Sequence, residues 1–327
     1  MPKVSIVLPN YNYARYLDER IQSLLNQTYT DFELIIVDDA SIDNSLEVIA
    51  KYTDDQRIVT QFFTQNSGLP YKRWNDGSKL ASGEYILFAG ADDSCAPTLL
   101  AELVEQLDAN PNVGLAYTQS LEIDSQSKVI RSLKIHTEDL NKELWKNDFV
   151  AKGEDICGYM GVRNIIPNAS AALLRREQFE SNGRFDETLI LVADWMLWVK
   201  ILLSSDIAYV AEPLNYFRTH PNTVRSTSFK YGMHIEEEYQ VISRISRDVR
   251  ISKSLLETAY NNVANRWVNS ILRLAFSKPD LVLDKTQKVY SFANQIDPAI
   301  NHRLFKRLLK DVSTLGLLTL RQKLIRR

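Results

Sequence analysis

KVSIVLPNYNYARYLDERIQSLLNQTYTDFELIIVDD, residues 3–39, is the stretch whose reading decides the fold. It opens on a short β-branched apolar run, residues 3–8, that stops at Pro9, and a run so bounded reads as a buried strand. Leu17, Ile21, Leu24 and Leu25 then recur at spacings of three and four, which predicts a helix over residues 16–27. A second apolar run, FELIIV at 32–37, ends at Asp38-Asp39. Strand, helix and strand, with the strands apolar on both faces, point to parallel strands joined by a crossover helix.

The same alternation continues outward. Leu46, Ile49 and Ala50 keep a helical period behind Ser41 and Asp43, either of which suits a helix cap. Residues 57–63 read as a strand broken by Asn66-Ser67-Gly68, residues 75–81 as a helix, and 84–89 (EYILFA) as a strand running into Ala91-Asp92-Asp93. Further strands are expected at 113–123, 168–174 and 207–214, the last closing the sheet. The stretch 185–203 holds Asp194-Trp195 at the start of a helical pattern. The fold class is α/β, a mostly parallel sheet between helices. In such sheets the ligand crevice lies beyond the carboxyl ends of the strands, where Pro9-Asn10-Tyr11, Asp38-Asp39, Asn66-Ser67-Gly68 and Asp92-Asp93 converge. From Met233 onward the pattern is helical with very few glycines, so the expected domains are residues 1–228 and a helical C-terminal domain, 229–327.

Composition narrows the function. Lys and Arg total 39 against 41 Asp and Glu, a net charge of −2, so nucleic acid is not an expected partner. Two cysteines, Cys95 and Cys157, make neither a disulfide framework nor a four-ligand zinc site. No G-x-G-x-x-G follows the first strand and no Walker A loop occurs, which excludes a dinucleotide dehydrogenase and a P-loop NTPase. The N-terminal apolar run is too short for a signal peptide, and no run approaches the roughly 18 apolar residues of a membrane span. The expected location is the cytoplasm or the periphery of a membrane.

Each candidate group has two readings at this stage. Asp38-Asp39 suits hydrogen bonds from a ribose hydroxyl or a base N–H, or else a helix N-cap. Tyr11, one strand over, offers a ring on which a base stacks. Asp92-Asp93 suits a hard divalent ion held jointly with phosphates, or else a capped turn before the helix near Pro97. Asp194 is a base, or a cap for the helix face of Trp195, Leu197, Trp198 and Ile201. Lys72, Arg73 and Trp74, in the expected loop before Asn75, touch diphosphate or sugar, or form a solvated face. A nucleotidyltransferase would carry a Gly- and Arg/Lys-rich loop after its first strand, and here there is none.

VSIVLPNYNYARYLDERIQSLLNQTYTDFELIIVDDASIDNS, residues 4–45, resembles the opening of the family 2 glycosyltransferases, inverting enzymes of the GT-A nucleotide-diphospho-sugar transferase fold. The resemblance runs on through NSGLPYKRWNDGSKLASGEYILFAGADD, where Asn66, Gly68, Asn75, Gly77, Gly83 and Glu84 keep the family's spacing. IIPNASAALLRREQF, FDETLILVADWMLWVKIL and YFRTH continue it, so that it covers about residues 3–225. It implies that Pro9, Tyr11 and Asp39 hold the nucleoside, with Asn66, Gly68 and Asp92 also on the nucleotide. It makes Asp93 the metal ligand of a D-x-D-type element, Asp194 the general base and His220 a diphosphate contact, with Arg73 of the loop before Asn75 a further candidate for that contact. It also implies Mn²⁺ or Mg²⁺ as cofactor, a nucleotide-sugar donor with UDP favoured, and a glycan or lipid-linked acceptor in surface-polysaccharide assembly. Two departures stand out: Gly90-Ala91 precede the Asp92-Asp93 pair where the family commonly has two acids separated by one residue, and Ala193 stands where Glu or Gly commonly precedes the base. The competing expectation is a non-catalytic sugar-nucleotide-binding or scaffold protein that keeps the GT-A fold.

Residues 301–327 hold eight Lys or Arg against one Asp. Leu304, Leu308, Leu309, Val312 and Leu315 recur at helical spacing beside Arg303, Lys306, Arg307 and Lys310. Such a helix either packs its leucines on the protein or lies on an anionic membrane surface.

Overall fold

A computed structural model describes residues 1–220, 234–277 and 282–310. The chain divides into two compact units, Met1–Pro221 and Asn222–Arg327.

The first unit is built on one sheet. Strand β1 (Val4–Asn10) pairs in parallel with β2 (Phe32–Asp38) and β4 (Tyr85–Phe88), and β2 pairs in parallel with β3 (Ile58–Phe62). Helices α1 (Ala14–Leu25), α2 (Ser45–Ala50) and α3 (Pro70–Ser78) make the crossovers. After β4 come the two-residue β5 (Ser94–Cys95), α4 (Leu99–Ala109), β6 (Val113–Ile123), β7 (Val129–Ser132), β8 (Phe149–Ala151) and α5 (Gly153–Met160). Then follow β9 (Ala172–Arg175), α6 (Arg176–Ser181), α7 (Ala193–Leu202) and β10 (Asp206–Arg218). The strand order is β3-β2-β1-β4-β9-β6-β10-β5, with β7 beside β6 and β8 beside β10. β10 runs parallel to β6, while β9 is antiparallel to both its neighbours.

Both faces of the central strands are apolar because both are covered. Val4, Ile6 and Leu8 pack with Leu17, Ile21, Leu99 and Leu103 of α1 and α4. On the other face Phe88 meets Phe179 and Phe185 at ring-centroid distances of 4.8 and 4.7 Å, and Tyr71, Trp74 and Trp198 extend this aromatic layer. Helix α3 lies unusually close to the sheet. A Cβ at Gly77 would stand 2.5 Å from Val7 Cγ1 and 2.9 Å from Val37 Cγ2, so only glycine fits at that contact.

Three expectations need correction. The helix expected at 75–81 begins at Pro70, because proline suits the first helical position; Lys72, Arg73 and Trp74 are therefore helical, not loop. The strand expected over 168–174 is a 3₁₀ turn at Ala169–Ala171 followed by strand only from Ala172, since Asn168 and Ser170 turn their side chains onto Asp93. The strand expected to close the sheet at 207–214 is β10, thirteen residues long and lying between β6 and β5.

In the second unit all described regular structure is helical: α8 (His234–Asp248), α9 (Lys253–Ser277), α10 (Val282–Ile296) and a helix over 300–310. Ile235, Tyr239, Ile242, Val263, Trp267, Val289, Ala293 and Ile300 form its core. Arg303 belongs to this interior, bonded to Asp297, Glu257 and Asn261, and Leu304 leans on the core. Phe305, Leu308 and Leu309 are exposed. Val312 and Leu315 lie outside the described residues. Among the described residues no helix is long and apolar enough to cross a membrane.

Candidate active site

The parallel strands β1, β2 and β4 end at one edge of the sheet, and the turns beyond them build the site. Asn10 Nδ2 donates to Asp38 Oδ2 at 2.7 Å, and the Asp39 amide donates to the Asn10 carbonyl at 2.9 Å, which knits the ends of β1 and β2 together. Asn12 and Ala40 hold positive φ of 59° and 62°, a costly backbone for side-chain-bearing residues that bends both loops at this edge. Asp38 is a turn former: its carboxylate takes the Ser41 amide at 2.9 Å and the Ser41 hydroxyl at 2.7 Å. Pro9 is half-buried at the end of β1, and Tyr11, just beyond, is 41% exposed.

Asp39 is buried and accepts three donors: the Ser67 amide (3.0 Å), the Ser67 hydroxyl (2.7 Å) and Arg73 Nε (2.5 Å). The Ser67 amide also reaches the second oxygen at 3.1 Å, so four hydrogen bonds take up the roughly four lone-pair sites of this carboxylate. Asn66 and Gly68 shape the loop over it. Asn66 Nδ2 reaches the Asp39 carbonyl at 3.3 Å, and its Oδ1 takes the Gly68 amide at 2.6 Å, with Gly68 at φ +70°. Arg73 was expected to contact diphosphate, but it is buried. Its guanidinium lies over the Phe63 ring and donates to Asp39, Asp76 and the Gln65 carbonyl. It therefore belongs with Asp39 at the end of β2.

The adjacent carboxylates after β4 differ. Asp93, expected as the metal ligand, is 3% exposed, and its oxygens take Asn168 Nδ2 (2.6 Å), the Ser170 hydroxyl (2.6 Å) and the Arg218 amide (3.0 Å). Burial and the neighbouring Asp92 push its carboxyl up to about 7, against the pull of the buried Arg20. Three of its roughly four lone-pair sites are thus taken up by the protein itself. Asp92 is the half-buried member of the pair, with Oδ2 3.1 Å from His220 Nε2. A Cβ at Gly90 would lie 2.7 Å from Asp93 Oδ2 and 3.3 Å from Asp92 Oδ1, which accounts for the glycine at that position. His220 is packed against the rings of Tyr16 (5.1 Å) and Tyr13 (5.9 Å).

Asp194 sits in the first turn of α7, where Oδ1 takes the Trp195 amide at 2.7 Å and the Tyr71 hydroxyl at 3.4 Å. The N-cap residues of α2, α4 and α7 are Asn44, Thr98 and Val192, none with a side-chain cap bond, although Asp43 Oδ1 takes the amide of Ser45, the first residue of α2, at 3.0 Å. Two groups escaped sequence reading. Arg218 is buried and donates to the Asp92 carbonyl, the Asp124 carbonyl, Ser127 and Glu19; its place two residues before His220, on the same side of an extended chain, was the available signal. Tyr71 carries no mark in the sequence that would single it out.

Among the described residues no group of three or more His, Cys, Asp or Glu is placed to hold a metal. The arrangement still fits a hard divalent ion, because Mg²⁺-type sites take one or two carboxylates and complete their shell with substrate phosphates and water. Asp92, with His220 beside it, is the group so placed.

The family model of glycosyl transferase family 2 matches residues 5–165. The chain belongs to that family, and its fold is the GT-A arrangement. An uncharacterized glycosyltransferase of Nostoc sp. is 30% identical over 225 residues, 67% of this chain and 65% of the relative's length. Among solved structures, residues 1–349 of S. aureus TarS in complex with UDP-GlcNAc superpose with a TM-score of 0.65 at 17% identity, covering 92% of this chain and 84% of that one. The mannosyltransferase PcManGT of Pyrobaculum calidifontis, in complex with GDP-Man and Mn²⁺, gives 0.57 at 16% identity, covering 95% and 87%.

Proposed function

We propose that the protein is a metal-dependent, inverting glycosyltransferase that moves a sugar from a UDP-linked donor to a hydroxyl of a glycan or lipid-linked acceptor in surface-polysaccharide assembly. One observation carries this reading: helix α3 joins Asp39, through Arg73, to Asp194, through Tyr71, beside the strand end that bears Asp92. In the proposed roles, Asp39 accepts the base N–H in place of the second arm of the Ser67 amide bond, and the exposed Tyr11 ring covers the base. Asp194 takes the proton of the acceptor hydroxyl as that oxygen attacks the anomeric carbon from the side opposite the diphosphate. Asp92, rather than Asp93, holds Mn²⁺ or Mg²⁺ together with the diphosphate oxygens, and Asp93 orients the turn that presents it. The bound ion supplies neutralisation of the negative charge growing on the leaving diphosphate. Support for the ion comes from the fit of Asp92 and from the Mn²⁺ bound by PcManGT; support for UDP comes from the TarS complex.

Calorimetric titration with UDP, dTDP, GDP and CDP, each with and without Mn²⁺, tests the donor half. UDP is expected to bind most tightly, to need the ion, and to bind weakly with or without the ion in Asp92→Asn. Asp194→Asn is expected to keep UDP affinity and lose about 10²–10⁴-fold in transfer. Failure of every nucleotide to bind would instead support a scaffold that keeps the fold.

The exposure of Phe305, Leu308 and Leu309 beside Lys306 and Lys310 favours the membrane reading of the C-terminal helix. We propose contact with the inner face of the plasma membrane, supported by that exposure. Sedimentation with anionic vesicles is expected to fall in a Phe305→Ser/Lys306→Gln/Leu309→Ser variant, and unchanged binding would overturn the assignment.

A further inference from the structure

Helix α3 carries more than its contact with the donor end. Asn75, 6% exposed, uses both sides of its amide on the segment that leads to α7: Nδ2 donates to the Phe185 carbonyl (2.9 Å) and to Glu187 Oε1 (2.9 Å), and Oδ1 takes the Phe185 amide (3.2 Å). One side chain thus reproduces a strand-like pairing with the backbone of residue 185. Tyr71, one turn earlier and 7% exposed, lays its ring against Phe185 and Trp74, each at 5.4 Å, and points its hydroxyl to Asp194 Oδ1 at 3.4 Å. The same helix is held to the sheet by the Gly77 contact and to Asp39 by Arg73.

We propose that Tyr71 is a positioning residue for Asp194, acting from a helix that Asn75 and Arg73 fix to both ends of the crevice. The Trp195 amide and the Tyr71 hydroxyl both meet the same oxygen of Asp194, and the hydroxyl contributes to setting the orientation of that carboxylate. The general base must meet the acceptor hydroxyl within hydrogen-bond reach, and a displacement of about 1 Å costs on the order of 10²-fold in rate. Phe185 and Asn75 hold the segment leading to the base, and Tyr71 sets its final orientation.

This inference rests on the reading of Asp194 as the base, and the experiment separates the two. Tyr71→Phe removes the hydroxyl and keeps the ring in the aromatic layer. Its kcat for sugar transfer is expected to fall about 10- to 100-fold, with donor KM, UDP affinity and thermal midpoint unchanged. In the Tyr71→Phe/Asp194→Asn double variant, transfer is expected to equal that of Asp194→Asn alone, because the hydroxyl acts through the carboxylate. Wild-type kcat in Tyr71→Phe, or a further loss in the double variant, overturns the positioning role while the base reading stands. A rise in donor KM with kcat unchanged overturns it as well. Full transfer by Asp194→Asn overturns the base reading itself, and the positioning role with it.

Discussion

Arg73 and Asp39 face each other almost without solvent, their side chains 6% and 8% exposed. Arg73→Ala leaves Asp39 with only the Ser67 donors, and breaking such a buried pair is expected to cost about 3–5 kcal/mol in urea unfolding and to weaken UDP binding. On the outer side of the same guanidinium lies Asp76. Burial would raise its carboxyl, but hydrogen bonds from Lys79 and Arg73 outweigh that and hold it below the ordinary 3.8. The native state therefore favours the charged form, so the stabilisation is present above pH 3.8 and is lost as pH falls through the folded-state value. Asp76→Asn should lower the thermal midpoint at pH 7 and converge on wild type in strong acid; equal losses at both pH values would contradict this sign. The groups at the strand ends were legible because a strand that stops at Asp-Asp delivers those carboxylates to the crevice. Which of Asp92 and Asp93 turns inward was not, because the deciding partners, Asn168, Ser170 and Arg218, lie far along the chain.

Period and punctuation placed β1, α1, β2 and β4 to within two residues, since each is an apolar run between breakers. Strand direction carries no such mark. β9 is as apolar as a parallel strand and lies antiparallel between β4 and β6. Helix α3 was half legible: Leu69-Pro70 reads as a break, and only the helix itself shows proline at its first position. Its closeness to the sheet gives a prediction for the element. Gly77→Ala forces α3 off Val7 and Val37 and is expected to destabilise the protein by about 1–3 kcal/mol, read by urea unfolding. Because α3 bears Arg73, Tyr71 and Asn75 together, the same variant should also lose transfer activity in excess of its loss of stability. A variant equally active while folded would show that α3 need not sit so close.

At the scale of the molecule, every residue assigned to donor or base lies in the unit Met1–Pro221. Saturating UDP is accordingly expected to slow amide exchange in β1, β2 and α3 and to leave α8 and α9 unaffected; protection appearing in α8 or α9 would require donor contacts outside that unit. The composition shift near residue 230 and the loss of strand signals point to a helical second part, and the described regular structure there is helical. The inward turn of Arg303 was not, because a basic residue on an amphipathic helix reads as solvated until its buried acids, Asp297 above all, are known.

The cross-links that hold Asp93 also set an order of events during synthesis. Its partners stand 75, 77 and 125 residues downstream. β1, β2, β3 and β4 can pair while the rest of the chain is still being made, since their contacts are comparatively local, whereas β10 must enter between β6 and β5 after everything else in the unit exists. A ribosome-bound chain that has passed β4 thus has the nucleoside end of its crevice and an acid pair with nothing to hold it. The last strand of the sheet completes the centre, so an unfinished chain has no means of consuming donor.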